Sequence, residues 1–288
     1  MRGNRTTVQA GLVVQAGLVV QAGLVVQAGT AAQAVRPQLL DSILSLRIKI
    51  MAMKDWFRRK PAPKTVGESK GGSRLIKYDD TSGPKMGFLE ESTIEYVEER
   101  ERVYDQMFGE SDTVLHELIP LVPHIDVYRY PPNNKRDFYT FVTGGMSDLP
   151  MNSPAEHGAD YRRAEIIFYS MDNRDDYPAL LRNLAHFVHD NNTWLHWGHT
   201  MPNGQPPEPL FDTQKLDTLL FMPTVVDPDS TLGDELQIES DPVHLIWCVP
   251  ITSAECQLKL DEGADALYDL FDENEHPFAF DGDRPSYV

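Results

Sequence analysis

Apolar positions change their spacing several times between residues 92 and 273, and each change predicts an element. Ile94, Val97, Tyr104 and Phe108 recur near helical spacing among the polar residues Glu98, Glu99, Arg100 and Arg102. Ser92 with Glu95 has the pattern of a capping box, and Gly109 supplies a stop, so a helix is predicted over about 93–108. Residues 114–119 and 125–130 read as strands. Residues 137–143 (DFYTFVT) are rich in aromatic and β-branched side chains and predict a core strand, stopped by Gly144-Gly145. A further strand is predicted over 163–169 (RAEIIFY). Leu180, Leu181, Leu184, Phe187 and Val188 form the apolar stripe of a helix over 177–190. Asp176 is its expected cap, and Pro178 fits the first turn, where a missing N–H costs nothing. Residues 219–226 predict a strand with Pro223 at its edge or end. Residues 243–249 (VHLIWCV) are continuously apolar, the mark of a strand buried on both faces, with Pro250 as its expected end. Thr252 with Glu255 forms a second capping box opening a helix toward Leu260. Gly263 interrupts it, and 264–271 gives a last helix. Strands and helices mix without strict βαβ alternation, which predicts an α+β fold, a mixed β-sheet packed with helices.

The first fifty residues follow another rule. Residues 9–26 read QAGLVV three times without a substitution, and Gln27-Ala28-Gly29 begins a fourth copy. A period of six fits neither the helical 3.6 nor a simple alternating strand. Gln9, Gln15, Gln21 and Gln27 interrupt the apolar run every six residues, short of the roughly 20 a membrane helix needs. Exact repetition points to repeated DNA, with Met51 or Met53 opening the real protein; a disordered tail and an export segment are the other readings. Residues 51–90, dotted with Pro61, Pro63, Gly67, Gly71, Gly72, Gly83, Pro84 and Gly87, read as a flexible linker. The folded domain is then expected over 91–288.

Charge narrows the function. The chain carries −18 overall. Residues 1–50 hold five basic residues and one acid, so residues 51–288 hold −22. Such a body argues against nucleic acid, whose binding requires basic residues to displace counterions, and against anionic lipid. Residues 255–283 contain ten acids, which read as a solvated face or as an electrostatic lure for a basic partner. The only two cysteines, Cys248 and Cys256, cannot make a disulfide framework. His186, His189, His196 and His199 lie within fourteen residues and are weighed as the zinc ligands of a metal-dependent enzyme, the alternative function for this chain. No glutamate stands in the HExxH arrangement, and packing beside Trp194 and Trp197 is the simpler reading. Ser147 does not match a nucleophile elbow and Gly144-Gly145 does not match a phosphate loop. No catalytic residue, cofactor or oligomeric state is read from these patterns.

One stretch is familiar. Residues 143–151, TGGMSDLPM, resemble the TxGMSDxPM signature of the suppressor-of-fused domain family, in its bacterial branch. Four further pieces follow in the family's order: 163–166, the helical 177–187, Trp197-Gly198-His199-Thr200, and 249–255 with the closing 267–271. Gly144 departs from the serine expected there. The resemblance covers about residues 92–275 and implies a single suppressor-of-fused-like domain that binds protein and is not an enzyme. Animal relatives grip a short peptide as an added strand; bacterial members resemble cytoplasmic immunity proteins that neutralise polymorphic toxins. The positions it marks for partner binding are Gly145, Met146, Ser147, Asp148, Met151, Trp197, His199 and Glu255.

Overall fold

The computed structural model describes residues 63–78, 92–119, 121–154 and 160–288, the side chains of 92–95 excepted. In chain order the elements are β1 (Lys64–Glu68), β2 (Arg74–Lys77), α1 (Ser92–Phe108), β3 (Thr113–Leu115), β4 (Asp126–Tyr130), β5 (Tyr139–Gly144), β6 (Arg163–Ser170), α2 (Asp176–Asp190), β7 (Thr200–Pro202), β8 (Leu216–Pro223), α3 (Leu232–Glu235), β9 (Gln237–Ile238), β10 (Asp241–Thr252), α4 (Ser253–Glu262) and α5 (Ala264–Glu273). β1 and β2 pair as a hairpin. The main sheet runs β3-β4-β5-β6-β10-β8-β7, with β9 on the start of β10. All its pairs are antiparallel except β6–β10, parallel from Arg163↔Val243 to Ile167↔Trp247. Parallel neighbours need a crossover, which residues 171–240 supply. The sheet is therefore mixed, and the α+β class read from the sequence is the observed one.

Alternation along each strand sorts the core into two layers. Ile166 and Phe168 of β6 face one layer with Ile246 and Cys248 of β10, beneath Tyr177, Leu181, Leu184 and Val188 of α2. Ile167 and Tyr169 face the other with Leu245, Trp247 and Val249, beneath Val103, Tyr104 and Phe108 of α1 and Leu267 and Phe271 of α5. Helices on both faces explain why β6 and β10 are apolar at consecutive positions. Burying one such side chain is worth roughly 1.5–3 kcal/mol, so these two strands anchor both layers. Among the described residues no helix is long and apolar enough to cross a membrane.

Several expectations change. β10 passes through Pro250 to Thr252. β6 accompanies it only to Trp247, whereas β8 pairs as far as Thr252. Beyond Trp247, β10 has a single ladder neighbour among the described residues, and a proline is tolerated as on an edge strand. The strand expected over 114–119 stops at Leu115, and Leu118 is 95% exposed. α2 begins at Asp176, with Asp175 in the capping position and no side-chain cap. Within the stretch read as a linker, the β1–β2 hairpin docks its tip on α4: Gly71 N donates to Leu260 O at 2.8 Å and Lys259 Nζ to Ser73 Oγ at 3.2 Å. The repeat at 9–29 and the side chains of the Ser92/Glu95 capping box lie outside the described residues.

Candidate functional site

β5 ends at Gly144 and the chain enters one 3-10 turn, Met146–Asp148. Gly145 stands at φ +116, a left-handed conformation that glycine adopts without strain. A Cβ there would overlap the carbonyl oxygen of His124. At Gly144 a Cβ would stand 2.5 Å from Tyr128 Cε2, so the departure from serine makes room for a ring on β4. Glu165 on the neighbouring strand organises the turn. Its Oε1 accepts from Gly145 N (3.0 Å), Ser147 N (3.0 Å) and Ser147 Oγ (2.6 Å), and its Oε2 from Thr143 Oγ1 (2.7 Å). Tyr104 Oη donates to Thr143 O at 2.9 Å, and His189 Nε2 lies 3.0 Å from Met146 O, tying α1 and α2 to the same turn.

Two guanidiniums brace the same turn. Buried Arg100 of α1 pairs with Asp148, and its Nε lies 3.5 Å from Glu165 Oε1. Arg163 Nη1 donates to Ser147 O at 2.7 Å and Asp148 O at 3.0 Å; its Nη2 pairs with Glu239 and its Nε lies 3.4 Å from Asp241. Burial pushes the Asp148 carboxyl up to about 6, Arg100 opposing and Glu165 reinforcing. Burial also works against the Arg100 charge, but Glu165 and Asp148 outweigh it and hold the guanidinium above its ordinary pKa. Gly145, Met146, Ser147 and Asp148 are all buried, and so is Met151, whose amide donates to Arg162 O at 2.7 Å. In this conformation these five residues hold the turn from within and present almost no side-chain surface.

The turn has neighbours that do reach solvent. β5 finishes at the end of the sheet where β6 and β10 begin. Asn152 N donates to Thr193 O (3.1 Å), carrying the chain past the turn to the loop after α2. That loop brings Trp197 and His199 to the same end, both half-buried. Trp197 Nε1 donates to Leu245 O at 3.4 Å. Ring centroids lie 4.9 Å apart for Trp194–His199, 5.7 Å for Trp197–His244 and 4.4 Å for Tyr161–His196. Glu255 lies elsewhere, beyond the far end of β10. It completes the expected capping box, accepting from Thr252 N at 2.8 Å while Thr252 Oγ1 accepts from Glu255 N at 3.2 Å. Arg284 donates to both Glu255 oxygens (2.7 and 2.8 Å), and Tyr287 N to Oε1 (3.0 Å). Burial disfavours this carboxylate, yet Arg284 and the backbone amides hold its pKa below the ordinary value. Glu255 therefore clamps the C-terminal segment and does not join the turn.

A family model for suppressor of fused protein matches residues 122–285. The chain belongs to the suppressor-of-fused family. Among solved structures, a suppressor-of-fused homologue from Neisseria gonorrhoeae matches with a TM-score of 0.53 at 16% identity, covering 68% of this chain and 98% of that one. The Sufu–Fu complex gives 0.43 at 15% identity (71% and 93% covered), and Drosophila Suppressor of Fused 0.43 at 16% (72% and 52% covered). No curated protein matches. In this suppressor-of-fused chain, the signature at 143–151 is the buried turn held by Arg100, Arg163 and Glu165. Sequence reasoning passed over those three charges. Their signal was present at Arg163 and Glu165, two charges on one face of an otherwise apolar strand.

The histidines weighed as metal ligands do not converge. His186 Nε2 lies 2.6 Å from Glu117 Oε1, His189 faces the Met146 carbonyl, and the His196 and His199 rings are 6.5 Å apart. Among the described residues, no group of three His, Cys, Asp or Glu side chains is placed to hold a metal. Burial raises the thiol pKa of both Cys248 and Cys256, which keeps them protonated and unreactive.

Proposed function

We propose that this chain is a non-catalytic protein-binding module, and that it acts in the cytoplasm as an immunity protein holding a secreted polymorphic toxin. Membership of the suppressor-of-fused family across residues 122–285 carries the reading. The contact surface we assign to it is the half-exposed group around Trp197 and His199, with the turn from Gly145 to Met151 as its rigid frame. Large aromatic side chains at such a site supply area at low entropic cost and serve as interface anchors. The −22 of residues 51–288 favours encounter with a basic partner.

The test is to sequence the genes flanking this one and to coexpress the protein with any toxin domain found there, scored by growth and by a co-eluting complex; flanking genes that encode no toxin would remove the immunity role. Trp197→Ala should weaken the complex about tenfold or more at unchanged melting temperature, as at an anchor. Asp148→Ala should instead lose stability, since Arg100 keeps its burial and loses its partner. Capture of a different protein, with no protection against the toxin, would remove the immunity role and leave the binding role standing.

A further inference from the structure

The opposite end of the sheet holds a groove that the signature turn does not touch. Its volume is about 650 Å³. Its floor is apolar: Met171 is 60% exposed and Phe278 42%, beside the half-buried rings of Phe211 and Phe280. Phe211 and Phe280 stand 5.4 Å apart over Tyr177. The rim is acidic, with Asp137, Asp172, Asp212, Asp281 and Asp283 all exposed. Among the described residues Arg174 is the single Lys or Arg lining the groove, and it is already held by Asp176 at 2.7 Å and Asp212 at 2.8 Å. One wall is pinned by Phe280 N donating to Tyr169 O at 2.8 Å, where the C-terminal segment bridges the end of β6.

Arg174 shows which chemistry suits this surface. Its guanidinium lies over the rings of Tyr177 (5.8 Å) and Phe211 (5.9 Å) while aspartates take its N–H groups. The exposed Phe278, which lines the groove together with Asp137 and Asp283, repeats those components, and among the described residues no Lys or Arg besides Arg174 lines the groove. The geometry points to a docking groove for an extended segment of a partner protein in which arginine alternates with aromatic or aliphatic residues. The arginine stacks on the exposed ring and pairs with the rim, as guanidinium does with aromatic and carboxylate groups, and the apolar side chain covers Met171. This inference rests on the protein-binding reading and gives the partner's chemistry at a second surface.

Full-length protein is titrated with a fluorescent Gly-Arg-Phe-Arg-Leu-Gly peptide, a Gly-Lys-Gly-Lys-Gly control and a Glu-Phe-Glu-Leu control. Binding of the first alone is expected, weakening at least threefold from 50 to 300 mM salt. Met171→Ser and the pair Asp137→Asn/Asp283→Asn should each weaken it at least fivefold, while Trp197→Ala should leave it unchanged. Equal binding of the lysine–glycine control would reduce the effect to general acidity and overturn the proposal. So would groove variants that bind like the parent, or self-association of the protein abolished by Phe278→Ser in place of peptide binding. A groove that fails while toxin capture stays sensitive to Trp197→Ala sinks this inference alone; the reverse pattern sinks the immunity reading and spares the groove.

Discussion

The two ends of the sheet use charge in opposite ways. At the turn end, Arg100, Arg163, Asp148 and Glu165 are buried: Arg100 pairs with Asp148, Arg163 donates to the Ser147 and Asp148 carbonyls, and Glu165 accepts from the turn amides. At the groove end, five aspartates stand in water above an apolar floor. A buried charge is costly unless every partner is in place, so a network of them permits one geometry and little else. An exposed acid is nearly free to keep, and its field stays available to whatever approaches. The family signature coincides with the first arrangement.

That contrast can be broken most severely at Glu165. Glu165→Ala leaves the Gly145 and Ser147 amides without their acceptor, removes the carboxylate 3.5 Å from Arg100 Nε, and should cost about 3–5 kcal/mol in urea unfolding. A loss under about 1 kcal/mol would mean that the carboxylate is not the organiser. Gly145→Ala comes next. Strain at its positive φ costs about 1–3 kcal/mol, and the clash with His124 O adds to it, so the melting temperature should fall by several degrees.

The groove end should show a pH dependence of its own. His276 stacks on Phe271 at 4.1 Å, with Nδ1 3.1 Å from Tyr287 Oη. Burial, with Arg284 adding to it, pushes its pKa down to about 4. The unfolded chain, titrating near 6.5, therefore takes up this proton first. Stability from neutral His276 is complete above that value and drains away as pH falls toward 4. About 1–2 kcal/mol should disappear between pH 7 and 5; a His276→Gln variant should lose that slope. Glu255, whose pKa is lowered, adds a further loss at more acidic pH, as its carboxylate is protonated. The smallest effect is expected from Met171→Ser, within about 0.5 kcal/mol for an exposed site. A larger loss would show that Met171 supports the fold and is no free floor.

Much of the sheet was legible because its central strands are rich in apolar and β-branched residues. VHLIWCV announced burial on both faces, RAEIIFY announced a strand, and Thr252 with Glu255 announced its cap. The continuation through Pro250 was not, because it depends on where β6 stops, a fact about another segment. The signature turn was legible as a turn, but its burial was not. Arg100 sits in the run EERER and looks solvated until Asp148, 48 residues away, is placed beside it. The groove was invisible for the same reason: Asp137, Arg174, Phe211 and Phe278 belong to four segments that only the fold brings together.

The parallel pair at the centre of the sheet also bears on how the protein is made. Val243 lies beside Arg163, about 80 residues later in the chain. At roughly 5–20 residues per second, translation leaves β6 waiting about 4–16 s for that neighbour. During this interval α2 can cover one face of the strand, but its hydrogen-bonding edge stays open, and open edges pair with other chains. Nascent chains stopped near residue 240 should therefore be retained by chaperones or aggregate, and release should require β10 to clear the ribosome.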